Sequence, residues 1–200
     1  MVRVREGATH GFRDQDVNHS SLEADREAPQ HPGDGAAEEV TELGEYALQL
    51  QASLSNQCDD GQRPALADLA VELALWIAAH GGRIDSLEPV VDGLAMIANS
   101  RRDPAELEAL CTVMGRITDA VAPVIREDLE KINPGRPWRV LLLNRGIVAT
   151  RSHNTRLMEE AFAELTRHLP ADLLTAVAAW MEKKMDYEGA LAVYRDLYES

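Results

Sequence analysis

The sequence predicts an all-α protein, an irregular α-solenoid of antiparallel helix hairpins that follows a disordered N-terminal tail. Apolar residues recur at helical spacing from about residue 37 onward, and short stretches rich in Gly, Pro and Asp separate them. One pattern also occurs twice, because DSLEPVV begins at Asp85 and DAVAPVI begins at Asp119, 34 residues later. A period of this length that holds two helices is typical of helical repeat proteins.

Composition narrows the class of protein. Of 200 residues, 45% are hydrophobic, which is enough for one globular core, and the net charge of −14 disfavours attraction to nucleic acid and anionic membranes. The N-terminus lacks the apolar run of a signal peptide, and no stretch has the length of a membrane span. Cys58 and Cys111 lack CxxC spacing, so we expect a reducing, cytoplasmic location. Arginine outnumbers lysine 17 to 3, which is typical of a GC-rich bacterial genome.

The chain divides near residue 36. Residues 1–36 carry isolated apolar residues at no period, so we expect a disordered tail that is dispensable for folding. Residues 37–200 form the predicted helical repeat domain. The tail histidines have no metal-ligand spacing, so we expect no metal site among His10, His19 and His31.

The first helices are predicted from their apolar residues. A leading helix from Ala37 carries Val40, Leu43, Leu48 and Leu50. The next helix, over 65–80, is predicted to bury one stripe, and Gly81 or Gly82 ends it in the left-handed conformation. The stripe consists of Leu66, Leu69, Ala70, Leu73 and Trp76.

Capping residues mark the following two helices. Asp85 or Ser86 is predicted to cap one helix, with Glu88 completing a capping box, and Asp103 with Pro104 begins the next. Their predicted buried faces are Leu87, Val90, Val91, Leu94 and Ile97, and then Leu107, Leu110, Cys111, Met114 and Ile117. DAVAPVI follows at the position that DSLEPVV occupied, so the two heptapeptides are predicted to begin the second helices of adjacent repeats.

With the helices predicted in the rest of the chain, the domain consists of four helix hairpins. Further helices are predicted at about 137–150, 153–168, 170–185 and 187–199. ADLAVELALW, ending at Trp76, also aligns with ADLLTAVAAW, ending at Trp180, at an offset of 104 residues. We therefore expect these two tryptophans at equivalent buried positions in the first and last hairpins.

The last unit resembles a tetratricopeptide repeat. In AAWMEKKMDYEGALAVYRDLY, the family's small and aromatic positions are occupied by Ala178, Tyr187, Ala190 and Tyr194. Leu174, Met185 and Leu197 depart from the family's tryptophan, turn glycine and second small residue, and Arg83 stands at the aromatic position of the first unit. The resemblance implies a right-handed helical array with a concave peptide-binding face and no catalysis of its own.

Catalytic motifs are missing from the sequence. It contains no GxSxG, Walker loop, HExxH or Gly-rich dinucleotide turn. Cys111 lies on a predicted apolar stripe, where a thiol behaves as a small hydrophobic group. We therefore expect neither an enzyme nor a cofactor.

One stretch departs from the acidic average. Residues 131–158 contain no Asp or Glu and six cations, Lys131, Arg136, Arg139, Arg145, Arg151 and Arg156. These cations either form a surface for an acidic peptide, a terminal carboxylate or a phosphate, or pair with acids on neighbouring helices. Trp138 either lines the same groove or packs its helix onto a neighbour.

Arg145 is the sharpest case because its helical neighbours are apolar. Leu141, Leu142, Val148 and Ala149 surround it, so an unpaired guanidinium would be costly to bury there. We expect its partner to come from another molecule. The predicted anion-binding residues are Arg139, Asn144, Arg145, Arg151, His153 and Arg156.

The predicted function is non-catalytic protein binding, as an adaptor or assembly factor that receives an acidic segment of a partner. One alternative is a helical regulator that contacts nucleic acid through residues 131–158, although WRVLLLNRGIVAT is too apolar for a recognition helix. A second alternative is a helical bundle that binds a small anionic ligand around Arg145.

Overall fold

The computed structural model describes residues 34–128, 135–169 and 174–175. These residues are all-helical, without a β-strand, and form seven helices. The helices are α1 (Asp34–Ser55), α2 (Arg63–Ala79), α3 (Glu88–Ser100), α4 (Pro104–Ala120), α5 (Pro123–Arg126), α6 (Pro137–Ser152) and α7 (Thr155–His168).

The predicted tail and the last repeat fall almost entirely outside the described residues. The helix α1 begins at Asp34, so residues 34–36 belong to it and not to the tail. The tail histidines, Trp180 and the tetratricopeptide-like positions lie outside, apart from Leu174, which is buried in the core.

Two helices carry most of the packing. The helix α2 packs against α1, α3 and α4, and α6 packs against α3, α4 and α7. Buried aliphatic residues, with Trp138 and Phe162, join them into one core. Within the described ranges, none of the helices has the length and hydropathy needed to cross a membrane.

The buried face of α2 is shifted by one residue from the predicted stripe. It consists of Ala67, Ala70, Val71, Ala74 and Ile77. Three of these five residues are alanines, and the helices packed on α2 approach it closely: a Cβ on Gly93 of α3 would lie 2.8 Å from the carbonyl oxygen of Ala67. Leu69 is exposed, so the prediction that it belongs to the buried face was wrong, whereas Trp76 is half-buried and packs against the edge of the core.

The α3 and α4 faces agree with the prediction. Every predicted apolar residue of α4 is buried, and on α3 only Ile97 is half-buried. The side chain of Asp103 caps α4 by accepting hydrogen bonds from the N–H groups of Ala105 and Glu106. Gly81 has a φ of +77°, as predicted for the end of α2.

The cap predicted for α3 does not form. Helix α3 begins at Glu88 after Leu87, which provides no side-chain cap. The N–H groups of Asp85 and Ser86 instead donate to the two carboxylate oxygens of Glu45 on α1, each at 2.8 Å. The connection that precedes α3 is thus held by a distant glutamate.

The two heptapeptides both lead into a helix with an early proline, but the helices differ in length. The helix α3 has 13 residues, whereas α5 has four and is followed by Asp128, whose φ is +44°. The backbones beside them meet, because Ile84 forms an isolated parallel bridge with Val121. The helix that begins at the second heptapeptide is therefore a single short turn and not a counterpart of α3.

Candidate functional site

The structure does not bring the predicted anion-binding residues into one groove. Four of them lie on α6, and each of the three arginines among these four contacts a different part of the chain. Their individual contacts decide which of them are available to another molecule.

Arg139 belongs to the interior. Its side chain is 2% exposed, and its Nε lies 2.6 Å from Oδ2 of Asp128. Arg136 approaches the same carboxylate, with its Nη1 2.8 Å from Oδ1. Asp128 follows α5, so this ion pair joins the end of α5 to the start of α6. Arg139 is therefore no part of a surface that could receive an acidic segment.

Arg145 has a carboxylate partner in its own chain. Its Nη1 pairs with Oε2 of Glu164 on α7, and the two side chains are only 11% and 16% exposed. The expectation that another molecule supplies this carboxylate was wrong, because α7 packs on α6 and carries Glu164 to the guanidinium. Burial raises the pKa of Glu164, which the positive charge of Arg145 partly opposes.

A glycine on α4 makes room for this guanidinium. A Cβ on Gly115 would lie 2.8 Å from Nη2 of Arg145, so only glycine leaves the side chain its present path. On the same helix, burial raises the pKa of the Cys111 thiol, with Arg145 acting in the opposite direction. A thiol in this state behaves as a core residue and not as a nucleophile.

Arg151 caps a neighbouring helix. It donates from Nη1 to the carbonyl of Ala98, at 2.9 Å, and from Nη2 to that of Arg101, at 2.7 Å. These carbonyls lie at the C-terminal end of α3, where the helix dipole favours a cation.

The remaining predicted residues are more accessible. His153 is exposed and ends α6 with a φ of +57°, Asn144 is half-buried, and Arg156 is exposed on α7 and pairs with Glu160 at 2.5 Å. Exposed Arg101 and Arg102 lie beside the carbonyls that Arg151 binds. We name the exposed basic residues of this set the basic end: Arg101, Arg102, His153 and Arg156.

Trp138 is a packing residue of the core, and it also borders the cavity of about 410 Å³ beside α3, together with Arg136. It is almost fully buried, and its ring meets that of His168 edge-on, with the centroids 5.4 Å apart. Burial lowers the pKa of His168, and the nearby Arg167 and Arg126 lower it further.

A different surface carries the largest exposed apolar side chains. On α1, Leu43, Tyr46, Leu50 and Leu54 share one side of the helix and are 44% to 68% exposed. Sequence periodicity grouped Leu43 and Leu50 with buried Leu48, because α1 has apolar residues on two sides. The signal that could have separated them is Gly44, which lies against Ile77 of α2 and marks the inner side.

The exposed apolar residues of α1 adjoin those of α2. Gly44 and Gln51 of α1 contact Ile77 and the Leu66 carbonyl of α2, and Glu45 binds the connection to α3. Helix geometry places Leu43 and Leu50 about 100° from the α2 direction, on the side away from Glu45.

The same helix geometry locates the apolar residues of α2 relative to its neighbours. Ala67 and Val71 face Gly93 of α3, so Leu69 and Trp76 lie about 100° from Ile77 on the side away from α3. The apolar residues of both helices therefore lie on the same side of the α1–α2 interface, the side away from α3. We name this surface the α1–α2 groove: Leu43, Leu50 and Leu54 with Leu69 and Trp76.

Acidic residues border the groove on both helices. Exposed Glu39 and Glu42 flank it on α1, and exposed Asp68 and Glu72 flank it on α2. The ion pairs of the described residues involve none of these four. The whole of α1 carries five acids and no Lys or Arg.

Two cavities lie on the other side of α1, next to α3. Their volumes are about 410 and 490 Å³, and Ala52, Glu88 and Pro89 border both. Arg145 lines neither of them, so they do not correspond to the anionic ligand site predicted around it.

Comparison with known proteins adds no similarity: no protein family, curated protein or solved structure matches the chain.

Proposed function

We propose that the protein is a non-catalytic protein-binding module that receives a helical segment of a partner in the α1–α2 groove. The observation that carries the proposal is the exposed stripe of four large apolar residues on α1. Contiguous apolar surface of this kind is costly to leave in water and is typical of interaction sites. A stripe that runs along a helix suits a second helix laid beside it.

The use of the charged residues supports a non-catalytic role. Arg139, Arg145 and Arg151 hold α5, α7 and the end of α3 in place, so none of them is free to act on a substrate.

The test compares two variants in affinity purification from the native cell with quantitative mass spectrometry. Leu43→Ser/Leu50→Ser removes apolar surface from the groove, and Val124→Ser removes an exposed apolar residue outside it. We expect the first variant to lose the proteins that wild type retains and the second to keep them. Identical recovery by both variants, with unchanged melting temperatures, would reject the groove as the binding site.

A second candidate function is the binding of an acidic segment of a partner protein at the basic end. Arg102 is exposed and takes part in none of the ion pairs of the described residues, and Arg101 and Arg156 are exposed in pairs that solvent screens. Binding of a poly-glutamate peptide that Arg102→Glu abolishes would support this site. Binding of a single-stranded oligonucleotide at the same site, with no binding of the peptide, would favour the nucleic-acid alternative.

We also propose the irregular, tetratricopeptide-like solenoid, located in the bacterial cytoplasm. The bridge between Ile84 and Val121 supports the array, because it sets the connection between α2 and α3 beside the connection between α4 and α5. The two free cysteines, Cys58 and Cys111, are compatible with a reducing compartment.

A further inference from the structure

We propose that the segment bound in the α1–α2 groove is a basic amphipathic helix. This inference rests on the proposed function and adds the chemistry of the partner. It is carried by the combination of an apolar floor, formed by the groove residues Leu43, Leu50, Leu54, Leu69 and Trp76, with acidic borders on both sides.

Charge complementarity determines the sign of the charges that flank the apolar side of the partner helix. Glu39 and Glu42 border the floor on one side, and Asp68 and Glu72 border it on the other. A helix in the groove would bring its own flanking residues close to these carboxylates. Lys or Arg at those positions gains attraction from both sides, whereas Asp or Glu meets repulsion from both.

The spacing of the floor sets the apolar pattern of the partner. Leu43 and Leu50 are one heptad apart, and Leu54 follows one turn later. A partner that packs along this row presents apolar residues at i, i+3 or i+4, and i+7, with cations on both sides of that stripe.

A second copy of the chain fits this surface poorly. Two parallel copies of α1 would set Glu39 and Glu42 against their own equivalents. Two oppositely directed copies would set these acids against the C-terminal half of α1, which has no Lys or Arg to receive them. The chain as a whole has 34 acidic residues against 20 basic ones.

The N-terminal segment of the same chain is also a poor occupant. Residues 1–33 contain six Asp or Glu against four Arg, so this segment is itself acidic. Its apolar residues, among them Phe12, Val17 and Leu22, do not recur at the heptad spacing of the floor.

The experiment measures binding of three synthetic 18-residue peptides to the full chain by fluorescence anisotropy. The first has Leu at heptad a and d positions and Lys elsewhere, the second replaces Lys by Glu, and the third has the composition of the first in scrambled order. We expect the first peptide to bind, and the other two to bind at least about tenfold more weakly.

Variants of the protein measure separately how the apolar floor and the acidic borders contribute to peptide binding. Leu43→Ser/Leu50→Ser should weaken the first peptide at least about tenfold, since two apolar contacts are lost. Glu39→Gln/Glu72→Gln should weaken it several-fold and reduce its dependence on salt. The control Glu159→Gln removes an exposed acid on α7, far along the chain from the groove, and should leave binding unchanged.

The outcomes distinguish the inference from the proposed function. If the Glu peptide binds as tightly as the Lys peptide and Leu43→Ser/Leu50→Ser abolishes both, the groove is a docking site but the basic partner is rejected. If no peptide responds to the leucine variant, the docking site itself is rejected. Equal binding of the ordered and scrambled Lys peptides also rejects the inference, because it shows attraction to net charge alone.

Two further results would assign the groove to another occupant. Light scattering that shows a dimer, lost in Leu43→Ser/Leu50→Ser, would overturn the inference in favour of a second copy. A large gain in peptide affinity after deletion of residues 1–33 would show that this segment covers the floor and would also overturn it.

Discussion

At the scale of single residues, the pair of Arg145 and Glu164 is a contact on which the fold depends. Both side chains are largely buried, and the apolar surroundings make either charge costly without the other. We expect Arg145→Ala to lower the free energy of unfolding by about 3–5 kcal/mol, because it leaves the Glu164 carboxylate buried without its partner. Urea denaturation followed by circular dichroism measures this change.

Arg156→Ala is the matched control for this prediction. Arg156 also pairs with a glutamate, Glu160, but the pair is on the surface of α7, where solvent screens it. We expect this variant to stay within about 0.5 kcal/mol of wild type. Wild-type stability in Arg145→Ala would show that the buried pair contributes nothing, and would leave Arg145 available for a partner.

Sequence reasoning placed Arg145 correctly on an apolar face but wrongly expected its partner to come from another molecule. Glu164 is 19 residues away on the next helix, six residues beyond the acid-free stretch. Whether it reaches the guanidinium depends on how α7 packs on α6 and on the space left by Gly115 of α4. Such information lies in three helices together and not in the local pattern.

At the scale of helices, local signals predicted boundaries well and buried faces less well. Asp103 and Gly81 act through residues next to them in the chain, so their roles followed from the sequence. The cap before α3 did not, because Glu45 binds there from 40 residues upstream. The buried face of α2 was missed because close packing favours alanine over the larger leucines nearby.

The close approach of α2 and α3 gives a prediction at this scale. Gly93→Ala would press a Cβ against the carbonyl oxygen of Ala67, a backbone atom that cannot rotate away. We expect a loss of about 1–3 kcal/mol in the free energy of unfolding, although alanine favours a helix by about 1 kcal/mol. Chemical denaturation measures it, with Met96→Ala on the exposed side of α3 as the control. A more stable Gly93→Ala would contradict the tight contact.

At the scale of the whole molecule, the two kinds of charge have separate roles. Buried and half-buried arginines of α6 connect helices, while acids on α1 and α2 remain at the surface around apolar side chains. The excess of arginine in residues 131–158 was visible in the sequence, but its structural use was not. The surface around the groove is therefore acidic, because α1 has no Lys or Arg and α2 has Arg63 alone.

The pH dependence of stability tests one consequence of this packing. The pKa of His168 is lowered from 6.5 because the ring is partly buried against Trp138 and near Arg167. Below that pH the unfolded chain binds a proton that the folded chain does not, so this histidine reduces stability as pH falls and has no such effect well above 6.5. Glu164 and Asp85, whose pKa values are raised by burial, act in the opposite direction at lower pH.

Comparison with His168→Gln isolates the histidine: between about pH 7.5 and about pH 5.5, wild type should lose more unfolding free energy than the variant. Equal losses in both proteins, measured by denaturant titration, would show that His168 titrates alike in the folded and unfolded chains.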